Sequence, residues 1–254
     1  MSKGKLYLVG IGPGDRDNMT FKAYRIIQEC GVIVGYKKYT QLLRELEGEG
    51  QQEHLLQGKK VISSPMRDEE ERCRKALDEA LLGEKVALVS SGDAGIYGMA
   101  GIALQILEKE ALTLEVEVVP GVTAASAAAA LLGAPLMHDF AVISLSDLLT
   151  SWELIEKRLQ QAGEGDFVVV IYNPRSKGRV TQVQRAQQIL LDYRSAKTPV
   201  GIVRNAYRRE GSKSITTLGQ MPEQEMDMAT IVIIGNSQSY VNGELFITPR
   251  GYPL

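Results

Sequence analysis

Short apolar runs alternate with longer amphipathic stretches through the first half of the chain, and few architectures accept that order. Lys5 to Val9 is strand-like. Ala23, Tyr24, Ile26, Ile27 and Cys30 then fall on one face of a helix opening at Thr20, and Val32 to Val34 is apolar again. The series continues with a weaker strand at Lys60 to Ser63, a charged helix from Asp68 to Leu82, a strand from Val86 to Ser90, a helix from Met99 to Lys109 and a strand from Val116 to Val119. Strand and helix in strict turn predict a mostly parallel sheet with helices on its faces. At Pro120-Gly121-Val122-Thr123 the chain turns into an alanine-rich helix, Ala124 to Leu132, stopped by Gly133-Ala134-Pro135.

Beyond that helix the pattern changes. Ala141 to Leu145 and Phe167 to Tyr172 read as strands separated by a helix from Trp152 to Gln161, and another helix runs from Thr181 to Tyr193. Strand candidates then follow closely at Val200 to Val203, Ser212 to Leu218 and Thr230 to Ile234. The second alternates Ser214, Thr216 and Thr217 with Ile215 and Leu218, which predicts hairpins in a mixed sheet. The fold class expected is therefore α/β with two lobes, 1–119 mainly parallel and 120–254 mixed. The Glu-, Gly- and Gln-rich stretch from Glu45 to Gln57 is read as a solvated, mobile loop.

A 254-residue chain with 44% hydrophobic content can bury a sizeable core without staples. Its formal charge of -2 creates no global field to recruit nucleic acid or an anionic membrane, so an anionic ligand must meet a local cluster of cations. Cys30 and Cys73 are the only cysteines, each inside a helix-like stretch, which argues against a disulfide framework and a metal site. No long apolar run suggests a signal or a span. A cytoplasmic protein is expected, with no metal, nucleic-acid or membrane partner.

Three glycine-bearing loops follow strands. Val9-Gly10-Ile11-Gly12-Pro13-Gly14-Asp15 suggests a dinucleotide site at first, but the spacing fails. Pro13 interrupts the turn, and the second strand ends Val34-Gly35-Tyr36-Lys37 without the carboxylate that would hold a ribose. The G-K-[ST] of a phosphate loop is also missing. Read alone, this loop is a structural turn or a ligand site. Ser90-Ser91-Gly92-Asp93-Ala94-Gly95-Ile96-Tyr97-Gly98-Met99 is the second loop and Pro120 to Ser126 the third. Strand ends of an open α/β sheet are where ligands bind, and three such loops on one edge predict a pocket.

Val9 to Asp15, Ser91 to Gly98, Pro120 to Ser126, Tyr172-Asn173-Pro174 and Val203-Arg204-Asn205-Ala206, in this order and at these separations, resemble the successive motifs of the tetrapyrrole (corrin/porphyrin) methylases. Each is weak alone; five in order over essentially the whole chain are specific. Within that family, Ile143 to Thr150, Tyr172 to Arg179, Ile234-Gly235-Asn236-Ser237 and Ile247 to Tyr252 are most similar to members that methylate ring carbon 17 of a precorrin and contract the macrocycle. The resemblance implies the two-lobed tetrapyrrole methylase fold, with the macrocycle toward the first lobe, the cofactor toward the second and the active site in the cleft between them. It also implies S-adenosylmethionine as methyl donor, S-adenosylhomocysteine as product, a small-molecule polycarboxylate tetrapyrrole as substrate, and a homodimer.

Carried onto this sequence, the resemblance implies that Gly92, Asp93, Ala94, Gly95 and Ile96 hold the methionine end and ribose region of the cofactor. Thr123 and Ala124 would flank the adenosine, with Tyr172, Asn173, Asn205 and Ala206 lining the rest. Gly12, Pro13 and Gly14 would border the macrocycle. Asp93-Ala94 stands where many members have Asp-Pro, and Ala206 where glycine follows the asparagine.

Methyl transfer from a sulfonium is an in-line displacement, served by positioning and desolvation. That suits a chain without a nucleophilic triad, whose only histidines are His54 and His138. Ring contraction needs proton delivery and removal. The catalytic candidates are Asp15, His138 and Asp139, with Ser144 and Ser146 as hydrogen-bonding partners; His138 also reads as a satisfied loop histidine and Asp139 as a cap. Clusters at Arg175-Ser176-Lys177-Gly178-Arg179 and Arg204 to Arg209 offer cations for substrate carboxylates, and Arg175 and Arg204 are chosen because they adjoin motif residues. The charges of the Asp68 to Leu82 helix are assigned to a solvated face. Trp152 reads as core or dimer contact. The competing functions are methylation at another ring carbon without contraction, a non-catalytic S-adenosylmethionine-binding module, and a nicotinamide oxidoreductase, which the failed fingerprint disfavours.

Overall fold

The computed structural model describes residues 4–46, 55–176, 178 and 180–253. His54, Lys177, Arg179 and most of the Glu45 to Gln57 stretch lie outside the described residues. The chain divides into two compact units, Met1–Ala124 and Ala125–Leu254.

The first unit runs β1 (Lys5–Gly10), α1 (Phe21–Glu29), β2 (Val32–Tyr36), α2 (Lys37–Glu45), β3 (Lys60–Ser64), α3 (Glu69–Leu81), β4 (Lys85–Ser90), α4 (Ala100–Lys109) and β5 (Glu115–Val119). Its sheet has the order β3-β2-β4-β1-β5 with every neighbouring pair parallel. Helices α1 and α2 cover one face, where Ala23, Ile26, Ile27, Leu42 and Leu43 pack on Tyr7, Val9, Ile33, Ala87 and Val89. On the other face α3 and α4 bring Cys73, Ala76, Leu77, Ala103 and Ile106 against Leu6, Leu8, Val32, Val34, Val86 and Leu88. Burial on both faces explains why the inner strands are apolar without alternation. Burying each such Leu, Ile or Val contributes roughly 1.5–3 kcal/mol of transfer free energy. The Thr20 side chain caps α1 by accepting from the Ala23 amide.

Three findings differ from the sequence reading of this unit. Helix α2 was not anticipated; in Lys37–Glu45 the apolar stripe is short, and Tyr39, Thr40, Leu42 and Leu43 supply it among polar residues. Leu55 and Leu56, read as part of a solvated loop, are buried in the same cluster as α1 and α2. Arg72, assigned to the solvated face of α3, is buried with Cys73, Ala76, Leu77 and Ala80.

The second unit takes in α5 (Ala124–Leu132), whose first residue belongs to the preceding unit, then β6 (Gly133–Ala134), β7 (Phe140–Ser144), α6 (Trp152–Glu164), β8 (Val168–Tyr172) and α7 (Gln182–Leu191). It continues with β9 (Pro199–Arg204), β10 (Ser212–Thr217), a 3₁₀ turn (Leu218–Glu223), β11 (Thr230–Ile234), β12 (Tyr240–Asn242) and β13 (Leu245–Ile247). The main sheet has the order β10-β9-β11-β8-β7. Strands β7 and β8 are parallel, whereas β11 runs antiparallel to both its neighbours and β10 antiparallel to β9, so the mixed sheet expected from the sequence is present.

Helices α6 and α7 bury Ile155, Leu159, Val183, Ala186 and Leu190 on one face of this sheet, with Trp152 packed at the edge of the same cluster. On the other face α5 lies so close that a Cβ on Gly201 would stand 2.3 Å from Leu132 Cδ1. The short β6, β12 and β13 form a separate three-stranded sheet absent from the sequence reading, since two or three residues carry no measurable alternation.

Candidate active site

The loops leaving β1 and β4 open the first unit's carboxyl edge. These strands are neighbours, yet their connections go to opposite faces, to α1 and to α4, and such a divergence leaves a crevice outside the strand ends. The glycine loops meet there backbone to backbone. The Ile11 amide donates to the Ser90 carbonyl at 2.9 Å, and Gly12 and Gly92 exchange both hydrogen bonds, at 3.1 and 2.7 Å. A Cβ at Gly121 would fall 2.1 Å from the Gly92 oxygen and 2.7 Å from the Gly10 carbonyl. Glycine is required by this approach, and at Gly12 and Gly92 also by φ of +75° and +69°.

Asp93 locks the junction. Its Oδ1 accepts the Gly95 amide at 2.7 Å and its Oδ2 the Gly121 amide at 2.9 Å, so one carboxylate ties the second loop to the third. The far end of the second loop is held by the Met99 amide donating to Ser90 Oγ at 3.1 Å. Ala94 is buried, whereas Gly95, Ile96 and Tyr97 are exposed, with Tyr97 in the left-handed region at φ +54°. The loop therefore offers main chain and one apolar side chain to a ligand. Thr123 and Ala124 are half-buried beside it, within 4 Å of the position a Cβ on Gly92 would take.

Gly12, Pro13 and Gly14 are buried, and what the first loop presents outward is the turn from Asp15 to Asn18. There Asp15 Oδ1 accepts the Asn18 amide at 2.9 Å and Asn18 Nδ2 at 2.8 Å, which fixes the carboxylate in a half-buried position.

In the second unit the β8 and β9 motifs occupy one edge of the mixed sheet. Tyr172 Oη accepts the Ala125 amide at 2.9 Å, satisfying an open donor in the first turn of α5. Asn173 and Asn205 end β8 and β9 in the left-handed region, at φ +52° and +50°, a conformation that asparagine tolerates better than most residues. Asn173 Nδ2 donates to Ser144 Oγ at 3.0 Å, and the Ser146 amide donates to the same oxygen at 3.1 Å. Ala206, next to Asn205, is buried.

The remaining expected residues separate. His138 and Asp139 precede β7, whereas Ser144 ends it, so the length of that strand, roughly 16 Å at about 3.3 Å per residue, lies between them. The structure does not bring His138 and Asp139 to Ser144 and Ser146. Instead they line a cavity of about 430 Å³ with Asp166, Phe167, Ser237 and Arg250 at the opposite end of the sheet. The His138 Nδ1 there accepts the Asp139 amide at 2.8 Å.

Arg175 also departs from expectation. Its Nη1 donates to the Gln224 carbonyl at 3.3 Å and its Nη2 to the Pro222 carbonyl, so the guanidinium clamps the end of the 3₁₀ turn. The buried Nε of Arg204, like that of Arg175, finds no hydrogen-bond partner among the described residues. Sequence reasoning missed Ser90 as a loop anchor, for which no signal exists. It also missed Arg72, for which one does: the arginine interrupts the apolar stripe of α3.

The family Tetrapyrrole (Corrin/Porphyrin) Methylases matches residues 5–222, and the chain belongs to it. Among individual relatives, the probable cobalt-factor III C(17)-methyltransferase of Salmonella typhimurium is 51% identical over 98% of this chain and 100% of its own length. The cobalt-factor III methyltransferase of Priestia megaterium is 46% identical over 98% of this chain, which spans 45% of that longer protein. The precorrin-3B C(17)-methyltransferase of Sinorhizobium sp is 37% identical over 98% of this chain and 97% of its own. The crystal structure of the methyltransferase CobJ is similar with a TM-score of 0.86 and 35% identity, over 98% of this chain and 100% of that one.

Proposed function

We propose that the chain transfers a methyl group from S-adenosylmethionine to ring carbon 17 of a corrin precursor in cobalamin biosynthesis, with contraction of the macrocycle. The observation that carries this reading is the end-to-end identity of 51% to a protein named as a probable cobalt-factor III C(17)-methyltransferase. The cobalt-bearing precursor is favoured over precorrin-3B, because the relatives named for cobalt-factor III are 51% and 46% identical and the one named for precorrin-3B is 37%.

The residues fit a cofactor held mainly by main chain. The exposed Gly95 to Tyr97 backbone, fixed from behind by Asp93, is unencumbered by side-chain bulk, with only Asp93 Oδ1 within 4 Å of a Cβ built on Gly95. S-adenosylmethionine, when bound, supplies an electrophilic methyl group on a sulfonium sulfur. In the first unit Gly92 to Ile96, Thr123 and Ala124 would bind and orient it; in the second, Tyr172, Asn173, Asn205 and Ala206 would do so. Their task is positioning and exclusion of water, which supply much of the rate of a displacement by a ring carbon. For contraction, Asp15 is the proton-handling group of this reading, since its carboxylate is held by neutral donors on the macrocycle-side loop. Arg204, which adjoins the β9 motif, would receive a substrate carboxylate. A cytoplasmic homodimer acting on a small-molecule polycarboxylate, without nucleic acid or membrane, belongs to the same reading.

The test is calorimetric titration with S-adenosylmethionine, S-adenosylhomocysteine and NAD, then incubation with precorrin-3B and with its cobalt form. Binding of the sulfur cofactors, a mass gain of one methyl group and a shifted absorption spectrum are expected with the cobalt form. No binding of either sulfur cofactor refutes the reading. Asp15→Asn should keep cofactor affinity and lose contraction; normal contraction would remove Asp15 from the mechanism.

A further inference from the structure

The cavity of about 430 Å³ at the starting end of β7 and β8 lies within the second unit, and none of the residues assigned to cofactor or macrocycle lines it. Its volume is in the range of small-molecule pockets. One lining residue, Asn236, is only 6% exposed, and its side-chain amide is held in one orientation. The Gln238 main-chain amide can only donate, and it meets Asn236 Oδ1 at 3.1 Å; the Ser239 hydroxyl donates to the same oxygen at 3.0 Å. Nδ2 is therefore the end turned away from this turn, and it makes no hydrogen bond among the described residues. Unlike the Nε atoms of Arg175, Arg194 and Arg204 it is not sealed in protein, and the open space that Asn236 borders is the cavity. A deeply set amide thus offers two N–H donors that only the contents of the cavity can satisfy.

The charges around it favour an anion. Arg250 lines the same space and pairs with no acid among the described residues. His138 Nδ1 accepts the Asp139 amide at 2.8 Å, which leaves Nε2 as the donor of that ring. Two carboxylates also border the cavity. Asp166 is engaged at both oxygens, Oδ1 by the Ser237 amide at 2.9 Å and Oδ2 by the Ser237 hydroxyl at 2.6 Å, and the Asp139 side chain is 83% exposed, where water screens it. The apolar element is Phe167. Its ring packs over Gly165, where a Cβ would stand 2.6 Å from Phe167 Cε2, and the residue remains exposed.

We infer that this cavity is a second ligand site, which takes a small organic carboxylate with a flat apolar body, the carboxylate on Asn236 Nδ2 and Arg250 and the body on Phe167. Guanidinium and primary amide both present N–H groups in a plane, the arrangement that matches two carboxylate oxygens. The site is independent of the proposed methyl transfer. Strands β7 and β8 run away from it to Ser144 and Tyr172, and their length, roughly 16 Å at about 3.3 Å per residue, separates it from the motif residues at their far ends.

The test titrates the whole chain with benzoate, benzyl alcohol and benzylamine, one aromatic frame with an anionic, a neutral and a cationic head, and follows ligand saturation transfer and the Asn236 side-chain amide by NMR. Benzoate should bind in preference to the other two and shift the Asn236 signals. Asn236→Asp keeps an oxygen for the Gln238 and Ser239 bonds and replaces the donor by an acceptor, so the urea midpoint should stand while benzoate affinity falls by about tenfold or more. Arg250→Gln should weaken benzoate about fivefold. If Asn236→Asp lowers the midpoint, Arg250→Gln, at an exposed residue, decides alone. No binding of benzoate at millimolar concentration, or equal affinity in the wild-type and variant chains, overturns the site. Preference for benzylamine overturns the charge assigned to its ligand. Excess S-adenosylhomocysteine should leave benzoate bound; displacement would put benzoate in the methyl-donor site and overturn this inference while leaving the proposed function in place.

Discussion

Replacing Gly121 by alanine should break the glycine junction. The added Cβ would stand 2.1 Å from the Gly92 oxygen, where real contacts begin near 3.0 Å, so the two backbones must part by about 0.9 Å. The obstructing atoms belong to the main chains of Gly92 and Gly10, and no rotamer change relieves them. Parting the chains strains the paired Gly12–Gly92 bonds and the Gly121–Asp93 bond. Overpacking costs about 1–3 kcal/mol, and losing one hydrogen bond to a charged group about 1.5–3 more, for a total of about 2.5–6 kcal/mol. In urea that moves the midpoint down by more than about 1 M. Gly101→Ala is the control: the glycine is exposed within α4 with nothing within 4 Å of its Cβ position, and alanine should stabilise by about 0.5–1 kcal/mol. Circular dichroism across a urea titration reads both. A Gly121→Ala midpoint equal to wild type, or equal shifts in both variants, refutes the reasoning.

Asp93→Ala removes both acceptors of the loop tie and should destabilise by about 2–4 kcal/mol, with Asp93→Asn intermediate because one oxygen remains; equal urea midpoints for all three chains would deny the tie. Burial pushes the Cys30 thiol up to about 12 and the Cys73 thiol up to about 11, so neither should react with a disulfide reagent at neutral pH until urea unfolds the first unit; fast labelling of the native chain would contradict their placement. Bonds from Lys22 and then Lys5 hold the Glu117 carboxyl down to about 2. Because the folded value lies below the ordinary one, the stabilisation is present above the usual carboxylate range and disappears as pH falls toward 2. Carboxyl NMR should show Glu117 titrating last among the glutamates, and a titration near 4.5 would mean the pairs are not formed in solution.

The parallel sheet was legible because strands buried on both faces must be apolar throughout, and β1, β2 and β4 state this residue by residue. Element β6, with two residues, and β12 and β13, with three each, are too short to carry a period and are held by pairing partners distant in sequence. The glycine loops were visible as loops, but their mutual contact was not, because Gly10, Gly92 and Gly121 are joined only by the sheet that aligns their strands. Charge was the least legible property. A sequence shows that Arg175 and Arg72 carry cations without showing that the first donates to backbone carbonyls while the second is buried against Ser64, Pro65 and Met99.

Strand β11 sits between β8 and β9, and all five of its residues are buried. A ribosome delivers this central strand after both of its neighbours. Until then the second unit consists of a β7–β8 pair and a β9–β10 hairpin, each with an open, Val- and Ile-rich inner edge of the kind that pairs with other chains. In the first unit β4 likewise follows both of its neighbours, β2 and β1, but all five strands of that sheet are complete by Val119. Synthesis therefore imposes an order: the glycine junction stands finished while the second sheet waits, and slow translation between β9 and β11 prolongs the interval in which the nascent chain is most prone to aggregate.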